Sequence, residues 1–172
     1  MNELLHTALE FQSFFEEQNW EYTIIGGLCL WHWGEQRLTK DVDFTLLAGF
    51  GNESRMAQLL SSKYRSRIDN PLEFATNNRV LLLYSSNGIP VDISLAGFPF
   101  EETIINRSVF VEYDEDVFLK ICSCEDLVVL KSFASRPQDW IDVESVVNKQ
   151  DCLDWDYLFE MLEPLCELKE DP

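Results

Sequence analysis

The sequence predicts an α+β fold, a mixed β-sheet with flanking helices and a helical C-terminal part. Three observations carry that expectation. Short apolar, β-branched runs alternate with stretches of helical period in the first half; two turn-marked hairpins follow; and from residue 122 onward every apolar pattern has helical period.

Taken in order, "NELLHTALEFQSFFEE" places Leu4, Leu5, Ala8, Leu9, Phe11, Gln12 and Phe15 near a period of 3.6, the pattern of an amphipathic helix. "YTII" is a short strand. Gly26-Gly27 then turns the chain into a second helix, "LCLWHWG", which stops near Gly34. "DVDFTLL" reads as a strand and "NESRMAQLLSSKY" as a helix, with Asn52 a candidate N-cap. "RVLLLYSSNGIPVDISLA" is the clearest hairpin: two apolar runs flank Asn87-Gly88, and Pro90 suits the start of the returning strand. "FVEYDEDVFLKI" is a second hairpin, turning near Asp114 to Asp116. "SCEDLVVLKSFASR", "PQDWIDVESVVNKQ" and "DWDYLFEMLEPLCELKE" are three helices. Ser123 with Asp126 forms a capping-box-like start, and Pro137 fits a first turn. The expected division is a core over 1–121 and a helical part over 122–172 packed on it as one compact unit.

The 172 residues are 46% hydrophobic and 13% aromatic, enough to build a core and unlike a disordered tail. No apolar run approaches membrane-spanning length, and "MNELLHTALE" has no signal-peptide pattern, so a cytoplasmic protein with no membrane partner is expected. Five cysteines without paired ligand spacings read as reduced, mostly packed thiols rather than a zinc site. The net charge of -18 works against generic binding to nucleic acid or anionic membrane. Between Gly34 and Val80, however, seven basic residues (Arg37, Lys40, Arg55, Lys63, Arg65, Arg67 and Arg79) stand against six acids. That segment is either an ordinary mixed surface or one wall of an anion-binding cleft.

The chemistry is concentrated in "GGLCLWHWGEQRLTKDVDF". In a strand, residues i and i+2 share a face, so Asp41 and Asp43 project together while Val42 and Phe44 face the other way. Two such carboxylates repel unless a cation lies between them, and hard divalent ions take carboxylate and phosphate oxygens together. Asp92, in the β-like run "IPVDISLA", is a candidate third acid. The glycine turn leaves room for a phosphate against backbone N–H groups at a helix start. Taken without the glycines, the same acids also fit a half-exposed sheet that points them to solvent.

Gly26-Gly27, a helix and then Arg37-x-Thr39-x-Asp41-Val42-Asp43-Phe44 resemble the nucleotidyltransferase superfamily, the polymerase-beta-like fold. Within it the block is most similar to the AbiEii-type branch found among toxin–antitoxin and abortive-infection proteins. "EDLVVLKSFASRPQDWIDVESVV" resembles the later helical block of that branch, and the two blocks span roughly Tyr22 to Val147 in the expected order. The resemblance implies a nucleotidyltransferase-type sheet and transfer of a nucleoside monophosphate from a nucleoside triphosphate to a hydroxyl. Asp41, Asp43 and Asp92 would hold Mg²⁺ or Mn²⁺, with Asp92 also the base. Lys131 would contact the triphosphate, joined by Gly26, Gly27, Arg37, Thr39 and Asp139; Arg136 is a further candidate. The acceptor would be an RNA 3′ end, such as that of tRNA, or a protein side chain, and a cognate toxin or antitoxin would be a partner. The superfamily often carries Gly-Ser where this chain has Gly26-Gly27, so one phosphate-binding hydroxyl is missing. The second reading is a non-catalytic nucleotide- or partner-binding module that keeps the fold. His32, between Trp31 and Trp33, reads as packing rather than as a ligand.

Overall fold

The computed structural model describes residues 2–169. Its elements are α1 (Glu3–Glu17), β1 (Tyr22–Ile25), α2 (Leu30–Trp33), β2 (Val42–Leu47), α3 (Glu53–Lys63), β3 (Arg65–Ser66), α4 (Pro71–Asn78), β4 (Val80–Tyr84), β5 (Pro90–Ala96), α5 (Pro99–Asn106), β6 (Val109–Asp114), β7 (Val117–Ile121), α6 (Cys124–Ala134), α7 (Pro137–Lys149) and α8 (Trp155–Lys169). The strands form one seven-stranded mixed sheet in the order β3-β4-β5-β2-β1-β7-β6. β2 runs antiparallel to β1 and parallel to β5, and β1 is parallel to β7. The expected mixed sheet with helices is therefore the observed architecture.

Alternation decides which face of the sheet becomes core. Val42, Phe44 and Leu46 on β2 are fully buried, and α1 covers that face with Leu4, Leu5, Ala8, Phe11 and Phe15. Phe44 meets Phe15 edge-on with ring centroids 5.2 Å apart and stacks near Phe11 at 5.9 Å. Phe11 in turn stacks on Tyr64 at 4.2 Å, which ties the end of α3 to the same cluster. Gln12, a polar residue inside the helical stripe, is buried for a reason. It donates from Nε2 to the Phe118 carbonyl and accepts the Lys120 N–H, satisfying β7 where β1 does not pair with it. Residues of the C-terminal helices, including Leu127, Val129, Val146, Leu158 and Leu165, belong to the same core cluster as the sheet.

Both expected hairpins form. β4 and β5 pair with Tyr84 opposite Pro90, and Gly88 takes φ +83° in the turn, a conformation open to glycine at no steric cost. β6 and β7 turn at Asp116. Several local expectations are corrected. The second helix is only Leu30–Trp33, because turns occupy the residues between Gly26 and Cys29. Asn52 makes no side-chain cap: its amide donates to the Ala48 carbonyl, while Glu53 Oε2 accepts the Gly51 N–H. α4 and α5 were not expected, although each begins with proline in its first turn, and in α5 Glu101 accepts the N–H groups of Gly97 and Phe98. The last predicted helix runs as α8 to Lys169, its final residue Glu170 lying outside the described residues. Among the described residues no helix is long and apolar enough to cross a membrane.

Replacing Phe44 by alanine removes a ring that is 0% exposed and contacts three aromatic neighbours. The expected cost is about 3–5 kcal/mol, read as a lower urea midpoint with an unchanged slope.

Candidate active site

The face of β2 opposite α1 carries Asp43, and the sheet register sets its neighbours. Asp43 is paired with Ile25 on β1 and with Asp92 on β5. Residues paired across a sheet share a face, so the two carboxylates lie side by side. Asp41 immediately precedes β2 and opens on the same cavity, about 390 Å³, lined also by Gly26, Gly27, Arg37, Thr39, Leu130, Lys131, Arg136 and Asp139. The expected convergence of acids from two strands beside the glycine turn is present. Neither Asp41 nor Asp43 has a salt-bridge partner among the described residues, whereas Asp92 Oδ1 pairs with Arg67 Nη1 at 2.6 Å.

The glycines are required by that crowding. Gly26 sits at φ +74°, and a Cβ there would come within 2.1 Å of Asp43 Oδ2. A Cβ on Gly27 would meet Thr39 Oγ1 at 2.6 Å. Thr39 is buried and donates to Asp41 Oδ1 at 3.0 Å, so the turn, the threonine and both acids are packed as one unit. The Gly27 N–H is directed at the Asp43 carboxylate. The helix begins only at Leu30, so the glycine turn is not itself a helix end. Burial, followed by the charges of Asp41 and Asp92, pushes the Asp43 carboxyl up to about 7, against smaller opposing effects of Lys131 and the Gly27 N–H. Asp92 is raised too, chiefly by burial, with Arg67 pulling the other way.

The opposite wall is cationic but internally paired. Lys131 Nζ lies 3.1 Å from Asp139 Oδ1 and 2.7 Å from Asp142 Oδ2, with all three side chains almost completely buried. Arg37 grips Asp142 through both oxygens, at 2.8 and 3.0 Å. Arg136 donates to Asp139 from its backbone N–H at 3.1 Å and from Nε at 2.6 Å. Asp139 therefore anchors Lys131 and the start of α7, and its carboxylate is committed to those cations. Burial pushes Asp139 and Asp142 up, but the hydrogen bonds from Arg136, Arg37 and Lys131 outweigh it and hold both below the usual carboxylate range. Of the seven basic residues between Gly34 and Val80, Arg37 lines this cavity. Arg79 instead holds Glu53 and the Gly49 carbonyl, and Lys63 lies over the Phe14 ring, so that segment is not one continuous wall. A second groove of about 560 Å³, lined by Trp31, Leu38, Lys40 and Ile89, shares Arg37 and Thr39 with the first cavity.

Residues 2–170 match the family described as "Nucleotidyltransferase of unknown function" (DUF6036). The chain belongs to this nucleotidyltransferase family. No curated protein matches the sequence. Among solved structures, ANT(2'')-Ia in complex with adenylyl-2''-tobramycin is similar with a TM-score of 0.62 and 12% identity, over 98% of this chain and 99% of that one. The lincomycin-bound lincosamide antibiotic adenylyltransferase LnuA gives 0.58 and 14%, over 87% and 99%. An antigenic nucleotidyltransferase-like protein from Paracoccidioides brasiliensis gives 0.56 and 15%, over 98% and 89%. At these identities the likeness establishes a shared fold.

A divalent ion can be tested against the residues of this family member. Its donor set is oxygen only, and two of its three carboxylates lack a cation. Among the described residues no three His, Cys, Asp or Glu side chains already stand close enough to enclose an ion. Three carboxylates on one cavity wall are the donor chemistry that a hard ion such as Mg²⁺ or Mn²⁺ takes, with water and phosphate oxygens needed to complete its shell. Arg67 was legible in the sequence only as one of several basic residues. It meets Asp92 across 25 positions, and no local pattern signals such a pairing. Asp142 was readable as an acid near a helix start, but not as the residue that joins Arg37 to Lys131.

Two outcomes follow from these charges. The folded-state value of Asp43 lies above its unfolded value near 4, so the native state holds an extra proton between about pH 4 and 7. Its contribution therefore favours folding below that window and is lost as pH rises through it. Asp43→Asn should flatten the slope and stabilise the metal-free protein at pH 8 by about 1–3 kcal/mol, measured by urea unfolding in a chelator. Lys131→Met leaves two buried aspartates short of a partner and should cost about 3 kcal/mol in the same measurement.

Proposed function

We propose that the protein is a metal-dependent nucleotidyltransferase that moves a nucleoside monophosphate from a nucleoside triphosphate to a hydroxyl. The observation that carries this reading is the in-register pairing of Asp43 with Asp92 on one face, beside Asp41 and a glycine turn, in a member of a nucleotidyltransferase family. A bound Mg²⁺ or Mn²⁺ would neutralise charge building up on the transferring phosphoryl group. Asp41, Asp43 and Asp92 are the residues that would hold it. Arg37, Lys131 and Arg136, on the facing wall, orient the triphosphate tail and favour its anionic form over water. Their own pairing with Asp139 and Asp142 fixes their positions before substrate arrives, so little reorganisation is needed. Asp92 accepts the proton of the acceptor hydroxyl as its oxygen bonds to the α-phosphorus and pyrophosphate departs.

The acceptor we favour is a neutral or cationic hydroxyl-bearing small molecule. The net charge of -18 supports it over an RNA 3′ end, and similar folds are known with adenylyl-tobramycin and lincomycin bound. The AbiEii-type branch, with an RNA or protein acceptor and a toxin or antitoxin partner, rests on the two motif blocks alone.

The test supplies Mg²⁺ or Mn²⁺ and each labelled nucleoside triphosphate, with small-molecule, tRNA and protein acceptor pools in separate reactions. Label should pass to an acceptor, with at least 100-fold loss in Asp41→Ala and Asp43→Ala. Nucleotide binding without transfer from any donor to any pool would instead identify a binding module.

A further inference from the structure

The pairing of Arg67 with Asp92 is a feature of the carboxylate face that the proposed reaction does not use. Arg67 follows β3, and its N–H donates to the Leu82 carbonyl at 3.0 Å, which hangs it on β4. Leu82 is the register partner of Asp92 on β5, and Asp92 is the partner of Asp43 on β2. The Arg67 backbone is thus two strand spacings, roughly 10 Å, from that of Asp92, and a long side chain must cross Leu82 to reach it. It does so with Nη1 at 2.6 Å from Oδ1, while Oδ2 accepts no hydrogen bond from a described residue.

The two kinds of ion pair at this cavity differ in accessibility. Lys131 and its aspartates are 8%, 1% and 2% exposed, whereas Arg67 and Asp92 are 23% and 35% exposed. A buried pair with several hydrogen bonds is a fixture, because separating it strands charges in an apolar interior. A solvent-reached pair with a single contact is weak and exchangeable. Of the three acids, moreover, only Asp92 has a salt-bridge partner among the described residues.

We infer that Arg67 is a positioning residue, a resident counter-cation that holds Asp92 toward the cavity in the metal-free protein and gives it up when a divalent ion and nucleotide bind. This rests on the carboxylate face being the metal site. Asp92 then changes partner from guanidinium to the loaded site, and the released guanidinium, still tethered to β4, is available to an oxygen of the bound nucleotide or acceptor. Before exchange the same positive charge repels the ion, so ion affinity is held down until nucleotide arrives.

The inference predicts a sign that ordinary structural support does not. Removing a nearby positive charge strengthens binding of a divalent cation, even where it weakens the fold. Binding of Mn²⁺ alone, without nucleotide, is to be followed by calorimetry and by the paramagnetic signal of free Mn²⁺. Wild type, Arg67→Met, Arg67→Lys and Asp41→Asn are compared, with circular dichroism to verify folding. Arg67→Met should bind Mn²⁺ about fivefold to tenfold more tightly than wild type, and its melting temperature should rise more on adding Mn²⁺. Arg67→Lys, which keeps the charge, should stay within about twofold of wild type. Equal Mn²⁺ affinity in wild type and a folded Arg67→Met would overturn the role of Arg67 while leaving the metal site standing. Binding that is absent from wild type and from a folded Arg67→Met alike, or that is unchanged by Asp41→Asn, would overturn the metal site itself. Should Arg67→Met not fold, the comparison of Arg67→Lys with Arg67→Gln decides, the Gln variant being expected to bind more tightly.

Discussion

Repulsion among carboxylates confined to one face of a sheet is the constraint around which the rest of this site is arranged. Strand register sets Asp43 beside Asp92, and Asp41, just before β2, opens on the same cavity. Neither arrangement can be relaxed without shifting β2, because Val42, Phe44 and Leu46 on its other face are locked into the aromatic core beneath α1. The core therefore enforces an electrostatically unfavourable geometry on the opposite face, and nearby residues are chosen to make it bearable. Gly26 lets the Asp43 carboxylate approach its turn, the Gly27 N–H is directed at that carboxylate, and Thr39 takes one oxygen of Asp41.

The protein does not simply neutralise these acids with lysine or arginine, although it has cations within the same cavity. Lys131, Arg37 and Arg136 are committed to Asp139 and Asp142, acids that line or back the opposite wall. That commitment prevents the cations from collapsing onto Asp41 and Asp43 and closing the cavity. The second pair of aspartates thus keeps the first set open. Such separation of charge in a partly enclosed site costs stability, and it is characteristic of sites where a ligand supplies the missing countercharge.

Much of this is legible in the sequence. The i, i+2 spacing of Asp41 and Asp43 places them on one face of an extended chain, and the Asn87-Gly88 hairpin brings Asp92 into a run of strand. That the strand of Asp92 could neighbour that of Asp41 and Asp43 was an expectation the register bears out, but no local pattern fixes it. β2 and β5 are parallel neighbours separated by two helices and two strands, and strand pairing at that distance is decided by packing rather than local pattern. The same limit hid Arg67, whose partner is set by the β4–β5 register. α4 and α5 were missed for a different reason. Both are eight residues long with short apolar faces, so their periodicity is weak, and the better signal was the proline in each first turn. The glycine turn was read as a phosphate cradle at a helix start. In the fold, a four-residue helix three residues farther on leaves the glycines chiefly as space for Asp43 and Thr39.

The balance of these terms links folding to occupancy. A carboxylate that is disfavoured in the empty protein raises the free energy of that state alone, so whatever neutralises it recovers the same amount on binding. A tight ligand site and a strained empty fold are then two measures of one interaction rather than separate properties. This also explains why the strain is tolerable in a chain of this size: the aromatic cluster under β2 and the paired network behind Lys131 lie outside the repelling group and do not depend on it. Stability is concentrated on the face that α1 covers, and the carboxylate face is left free to be held away from its electrostatic optimum.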